Sequence, residues 1–202
     1  MSENVTRKRS TYHVGNLGPQ LLEEARRMLA EVGPSKLSIR AVSDRIGVSA
    51  TATYHHFSSK NTLLCHLAEQ GFRELHHSLR QRPATAESQD LLRIGCLAYF
   101  TFAINNPQLY QLMFGPNIND SDMPPECQEA REGAFCELKQ IISEVLKQPI
   151  DSKEVFSSAL ASWSFTHGLA SLVIHKVLHF TPENPEVLVT RAMRGLKNIF
   201  EQ

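Results

Sequence analysis

Apolar residues recur three and four positions apart along nearly the whole chain. Leu17, Leu21, Ala25, Met28 and Leu29 form one such stripe, which predicts a helix over about 17–31 with Asn16 as N-cap and Gly33-Pro34 as its stop. Ser38 can cap a short helix over 39–46 that ends at Gly47, and Ser49 a third over 50–56. Ser59 can cap a long helix that runs to about residue 80, before Pro83. Five further helices are predicted: about 90–104, a short one in "PQLYQLMF" from Pro107, 126–147 after the loop "GPNINDSDMPP", 152–178, and 185–200. Asp151 and Glu154 have the spacing of a capping box for the eighth. No alternating strand pattern and no internal repeat interrupts the series. The expectation is an all-α, nine-helix protein in which short loops make neighbours antiparallel.

Composition adds bounds rather than detail. The 202 residues are 42% apolar and 21% charged, an ordinary balance for a soluble globular chain. The longest uncharged run, Val155 to His175, contains five serines, a threonine and two histidines, and reads as a buried helix rather than a membrane span. No signal-peptide pattern opens the chain, and the four cysteines lack CxxC spacing, so reduced thiols, a cytoplasmic location and no membrane partner are expected. The net charge is zero but unevenly spread. Residues 1–60 carry nine Lys/Arg against five Asp/Glu, and residues 61–202 carry twelve against sixteen. A basic first third on an acidic remainder suits a polyanion partner for that third alone.

The stretch "GVSATATYHHFSSK", residues 47–60, is built from poor helix formers although its spacing is helical. Two short helices joined through Gly47 have the arrangement of a helix-turn-helix, whose second helix enters the DNA major groove. Small Ala50, Thr51 and Ala52 would let that helix approach base edges, with threonine hydroxyls and methyls to read them. Ser49, Tyr54 and Lys60 can reach phosphate oxygens, beside the anion-favouring start of the fourth helix.

The segment "LSIRAVSDRIGVSATATYHHFSSKNTLL" resembles the DNA-binding part of TetR-type transcriptional regulators, with a Gly-Val-Ser turn, the aromatic pair Tyr54 and Phe57, and then Lys60. "YHVGNL", "AEQGFREL", "NNPQLYQLMFG" and "WSFTHGLASL" are similar to the subgroup with a Trp-His-Gly C-terminal domain. The resemblance covers roughly residues 12–175. It implies a two-domain fold: an arm over 1–15, a DNA-binding domain over 16–60, and a ligand-binding and dimerisation domain over 61–202. It implies DNA contacts at Ser38, Arg40, Ser49, Tyr54 and Lys60, with Ala50, Thr51 and Thr53 at the positions that set base preference. Thr53 departs from the more usual leucine or proline, and Ile39 replaces a common hydroxyl residue. His55 is expected to face DNA and His56 to pack under the turn.

Other constellations carry less. His175 and His179 are four apart and could chelate, whereas the pairs His55-His56 and His76-His77 diverge by ~100° on a helix; surface or interface histidines are the simpler reading, with no metal. No GxSxG or comparable nucleophile context supports an enzyme, and no cofactor is called for. A helical binding or adaptor protein without DNA is the alternative. "RKRS" at residues 7–10 could reach the minor groove or be a solvated tail.

The C-terminal part is expected to sense and to dimerise. Cys96, Phe100, Tyr110, Met113, Phe114, Phe135, Trp163 and His167 are candidates for an unknown small-molecule pocket between helices. Trp163 and His167 lie one turn apart on one face. Leu188, Ala192, Leu196 and Ile199 form a stripe on the last helix, and with Leu172, His175 and His179 they are the candidate dimer interface. The expected mechanism is a homodimeric repressor on a roughly palindromic double-stranded DNA operator, released when ligand binds.

Overall fold

The computed structural model describes residues 16–83, 85–118, 123–177 and 184–200, which are entirely helix, turn and loop. Nine helices occur among them: α1 (Leu17–Lys36), α2 (Ile39–Ile46), α3 (Ala50–Tyr54), α4 (Lys60–Arg80), α5 (Ser88–Asn105), α6 (Pro107–Phe114), α7 (Pro125–Leu146), α8 (Lys153–Ile174) and α9 (Pro185–Phe200). The arm over 1–15, including "RKRS", and His179 lie outside the described residues.

Three of the predicted caps form hydrogen bonds. Ser38, Ser49 and Ser59 each accept from the backbone N–H three residues on, at Ala41, Ala52 and Thr62. Asn16 makes no side-chain cap bond. The start of α8 is one residue off the expected box: Ser152 is the cap, accepting from Val155 N–H, and Asp151 instead lies 3.7 Å from Lys139. Gly33, the expected stop of α1, kinks the helix instead, with φ 76° and ψ 171°, and Pro34 restarts a last turn to Lys36. Glycine is favoured there because side-chain-bearing residues rarely adopt that positive φ; Gln108 packs beside it, its Oε1 2.8 Å from where a Cβ would stand.

One hydrophobic core runs through the molecule. In the first unit Leu21, Ala25 and Leu29 of α1 join Val42 of α2 and Phe57 over the start of α4. α4 then continues into the second unit, where it packs along α7, while α5 packs on α7, α8 and α9. The short α6 touches both α1 and α4. Its approach to α4 is close, because a Cβ on Gly71 would come 2.5 Å from Met113 Sδ and 3.0 Å from Leu109 Cδ2. Arg26 of α1 binds Glu74 of α4 through two N–H donors at 3.1 and 2.9 Å, and also reaches Asn106 Oδ1 at 3.3 Å, so the same corner is tied by polar bonds. No helix among the described residues is long and apolar enough to cross a membrane.

Candidate nucleic-acid interface and sensor cleft

The two short helices are locked together by their small residues. Gly47 adopts φ 74°, the left-handed conformation that the turn requires, and Val48 N–H returns to Ser43 C=O at 3.0 Å. Inside the turn, Ser43 Oγ donates to Ile39 C=O at 2.8 Å. The single hydroxyl proton of Ser43 is thereby used, so Thr53 donates to Ser43 Oγ at 2.7 Å. Both side chains are fully buried. Thr53 therefore cannot read bases, and this corrects the sequence expectation: its hydroxyl closes a polar bridge between α2 and α3.

The outward side of α3 retains the rest of the expected set. Thr51, Tyr54 and His55 are exposed, Ala50 is half-buried, and Tyr54 keeps 53% of its surface in solvent. α3 ends at Tyr54, and both His55 and His56 fall in the following turn. His56, expected to pack under that turn, remains exposed and lies over Gly18, whose added Cβ would be 3.2 Å from its Nδ1.

The cations of this unit divide sharply. Arg26 pairs with Glu74, Arg27 with Glu23 and Glu24, and Arg45 with Glu24 and Glu31. Arg45 holds the Glu31 carboxyl below its ordinary value by hydrogen bonding. Among the described residues Lys36, Arg40 and Lys60 have no carboxylate partner, and Lys60 Nζ donates to Ser35 C=O at 3.0 Å, beside Lys36. The sequence reading did not single out Lys36. Its signal was indirect, since only the pairing of the neighbouring arginines leaves it as one of the unneutralised charges.

In the second unit the predicted pocket residues separate into a filled aromatic cluster and an open cleft. Trp163 meets Tyr99, Phe114 and Phe135 edge-on, with ring centroids 5.2, 6.1 and 5.5 Å away. Phe114 in turn meets His167 at 5.0 Å. Beside this cluster a cleft of about 290 Å³ is lined by Tyr110, Gln111, Phe114, Gly115 and Pro116 on one side. Asn117, His167, Ser171 and His175 complete it. Three expected ligand residues, Tyr110, Phe114 and His167, thus come together. Cys96, Phe100, Met113, Phe135 and Trp163 are not among its walls. Cys96 and Phe100 are core, with burial raising the Cys96 thiol pKa; Met113 packs against Gly71; Phe135 and Trp163 are half-buried behind Phe114.

Sequence reasoning missed Tyr99. Its hydroxyl lies 3.0 Å from that of Tyr110, which is 2.7 Å from His167 Nδ1. Burial pushes both phenols well above their ordinary pKa, and for Tyr99 the Tyr110 hydroxyl adds to the shift. Burial lowers the His167 pKa, so its ring is held neutral. Tyr99 was overlooked because its position on α5 carries the same apolar spacing as any core residue.

The expected dimer residues also divide. α8 presents Phe156, Leu160 and Leu172 to solvent at 52, 50 and 41% exposure, in register four residues apart with Ser164 and Gly168 between. On α9, Leu196 and Ile199 are exposed. Leu188 is not available as an interface residue: it is 9% exposed and belongs to the core of its own chain, because the start of α9 packs on α5 and is held there by Arg93–Glu186 at 2.7 Å. Ala192 is half-buried, and His175 is exposed on the wall of the cleft. Among the described residues no group of three or more His, Cys, Asp or Glu is placed to hold a metal ion.

Two family models match the chain: "Bacterial regulatory proteins, tetR family" over residues 21–67 and "Tetracyclin repressor-like, C-terminal domain" over residues 92–196. The HTH-type transcriptional regulator Mb1846 of Mycobacterium bovis is 29% identical over 111 residues, 53% of this chain and 47% of its own length. The HTH-type transcriptional activator FasR of Mycolicibacterium smegmatis is 31% identical over 96 residues, 47% of this chain and 44% of its own. The chain therefore spans about half the length of these curated relatives. A protein of unknown function from Rhodococcus sp. RHA1 superposes with a TM-score of 0.77 at 28% identity, covering 91% of this chain and 95% of its own. The TetR family regulator PfmR from Thermus thermophilus shares the fold at a TM-score of 0.61 and 20% identity, over 84% of this chain and 92% of its own.

Proposed function

The chain belongs to the tetR family of bacterial regulatory proteins, a DNA-binding transcriptional regulator and not an enzyme, and from that premise we propose that it is a ligand-responsive repressor working as a cytoplasmic homodimer. Residues 16–60 form the DNA-binding domain and 61–202 the sensing and dimerising domain. The observation that carries the reading is the outer side of α3, where Thr51 and the half-exposed Tyr54 stand in solvent, in a unit whose Arg40, Lys60 and Lys36 have no carboxylate partner among the described residues. Ser38 and Ser49, with their lone pairs engaged as caps, retain hydroxyl protons to donate to phosphate. Ala50, Thr51 and His55 are the residues for base edges.

Two copies joined through Phe156, Leu160 and Leu172 of α8 and Leu196 and Ile199 of α9 would present one α3 per half-site of a roughly palindromic operator. Ligand enters at the Tyr110–His167 cleft, and its differential affinity for the two arrangements of the heads weakens DNA binding. The C-terminal half is read as the Trp-His-Gly type on Trp163, His167 and Gly168.

Selection of bound DNA from a random pool, followed by gel-shift titration over a series of salt concentrations, tests the reading. Lys60→Ala and Lys36→Ala should weaken binding to all sequences and reduce the salt slope by roughly one each. Tyr54→Phe should weaken binding without changing that slope. A pool that yields no enriched sequence, with unchanged affinity in all three variants, would remove the head from DNA. A reporter placed behind the selected operator then distinguishes repression from activation.

A further inference from the structure

We infer that the cleft between α6 and α8 takes a small monocarboxylate, an acid with a short aromatic or aliphatic body; this rests on the cleft being the sensor site. The argument is a count of protons. Tyr99 and Tyr110 have one hydroxyl hydrogen each, and their oxygens meet each other at 3.0 Å and His167 Nδ1 at 2.7 Å from Tyr110 and a longer 3.5 Å from Tyr99. If Nδ1 carried the proton, it would donate to Tyr110, Tyr110 would donate to Tyr99, and the buried Tyr99 hydroxyl would have no acceptor. The satisfied arrangement is the opposite one: Tyr99 donates to Tyr110, which donates to Nδ1. A neutral imidazole then carries its hydrogen on Nε2.

Among the described residues that N–H has only a long contact, 3.5 Å from Ser171 Oγ, and both residues line the cleft. They form a donor pair with room for an acceptor between or beside them. His175 donates from Nδ1 to Ser171 C=O at 2.8 Å, which fixes its ring on the wall of the cleft. Among the described residues no Asp, Glu, Lys or Arg lines the cleft, so an ammonium finds no counter-charge among them while a carboxylate meets hydrogen-bond donors. Phe114 and Pro116 supply an apolar wall for the body of the acid. The 290 Å³ is at the small end of the ~300–1,000 Å³ usual for ligand sites, which favours a compact acid over a long chain.

Four matched probes test this: 3-phenylpropionate, its amide, 3-phenylpropanol and 3-phenylpropylamine, titrated into the full chain with Trp163 fluorescence as readout. Trp163 is the only tryptophan and contacts Phe114 of the cleft wall. The acid should saturate at a concentration at least about tenfold below the amine, the size of one charge-assisted hydrogen bond. Ser171→Ala, which leaves the tyrosine chain intact, should weaken the acid and not the alcohol. His167→Phe should abolish the preference for acid over amine, and His167→Gln, which restores an N–H, should recover part of it. An amine that binds as tightly as the acid, or an acid indifferent to Ser171→Ala and His167→Phe, overturns the ligand class and leaves the sensor site standing. If none of the four perturbs Trp163 at millimolar concentrations, the cleft itself is not the sensor and both readings fall.

Discussion

Two threonines on α3 perform unlike work although one residue separates them. Positions two apart on a helix point in nearly opposite directions, so Thr51 is presented to solvent while Thr53 is sealed against α2. Thr53→Val should lower stability by about 1 kcal/mol, because Ser43 Oγ loses its donor, and should leave base preference unchanged. Thr51→Ala should do the reverse; thermal melts beside a random-pool selection separate the two outcomes. The hydroxyl of Thr53 was visible in the sequence, but its partner lies ten residues away across a turn, so composition alone could not distinguish a reader of bases from a bridge. His167 offers a second test at this scale. Burial lowers its pKa below the ordinary 6.5, so the unfolded chain binds more protons in that range. Its contribution to stability is complete above about pH 6.5 and is lost as pH falls below it. Melting curves from about pH 8 to about pH 5 should therefore fall less steeply for His167→Gln than for the parent.

Among the elements, α6 has the most consequential position. Tyr110 and Phe114 line the cleft, while Leu109 and Met113, one residue earlier in each turn, lie on Gly71 of α4, and Gln108 meets the kink of α1 at Gly33. A short helix thus touches the ligand side with one face and the DNA-binding unit with the other. Gly71→Ala should press α6 away from α4, lower stability by about 1–3 kcal/mol through overpacking, and shift operator affinity in the absence of any ligand. A gel shift on the folded variant with parental affinity would show that α6 can move without consequence for the head. The periodic pattern was sufficient to place nine helices, because an apolar stripe at helical spacing is a local property. Helix ends were less legible. Gly33-Pro34 reads as a stop in any sequence, yet the same pair starts a new turn, because Gly33 takes a positive φ and Pro34 then sits at a first helical position. Gly71 was silent because glycine is a poor helix former by about 1 kcal/mol, and the close approach that needs it is made by another helix.

For the whole molecule, the apolar faces left on α8 and α9 define the expected dimer. Leu160→Glu or Leu196→Glu should place an unpaired charge in the joint surface and shift sedimentation toward the single chain, with operator affinity falling alongside. Leu188→Ala should instead behave as a core truncation, losing about 2–5 kcal/mol of stability with the association constant unaffected. Sequence periodicity put all four α9 residues on one stripe, yet the stripe passes from α5 at its start to solvent at its end. A wheel drawn from sequence holds no information about where along its length a helix leaves its neighbour.

α8 turns His167 and Ser171 to the cleft and Phe156, Leu160 and Leu172 outward. Ligand and partner subunit would thus act on the same rod. By linkage, a molecule that binds one state of that rod more tightly also alters how tightly two copies associate. The half-saturating dose of an effector should then change with the abundance of the protein itself, and most steeply near the dimer dissociation constant. Titrations repeated over a wide range of protein concentration would reveal such self-metering, and a single dose–response curve at one concentration would not.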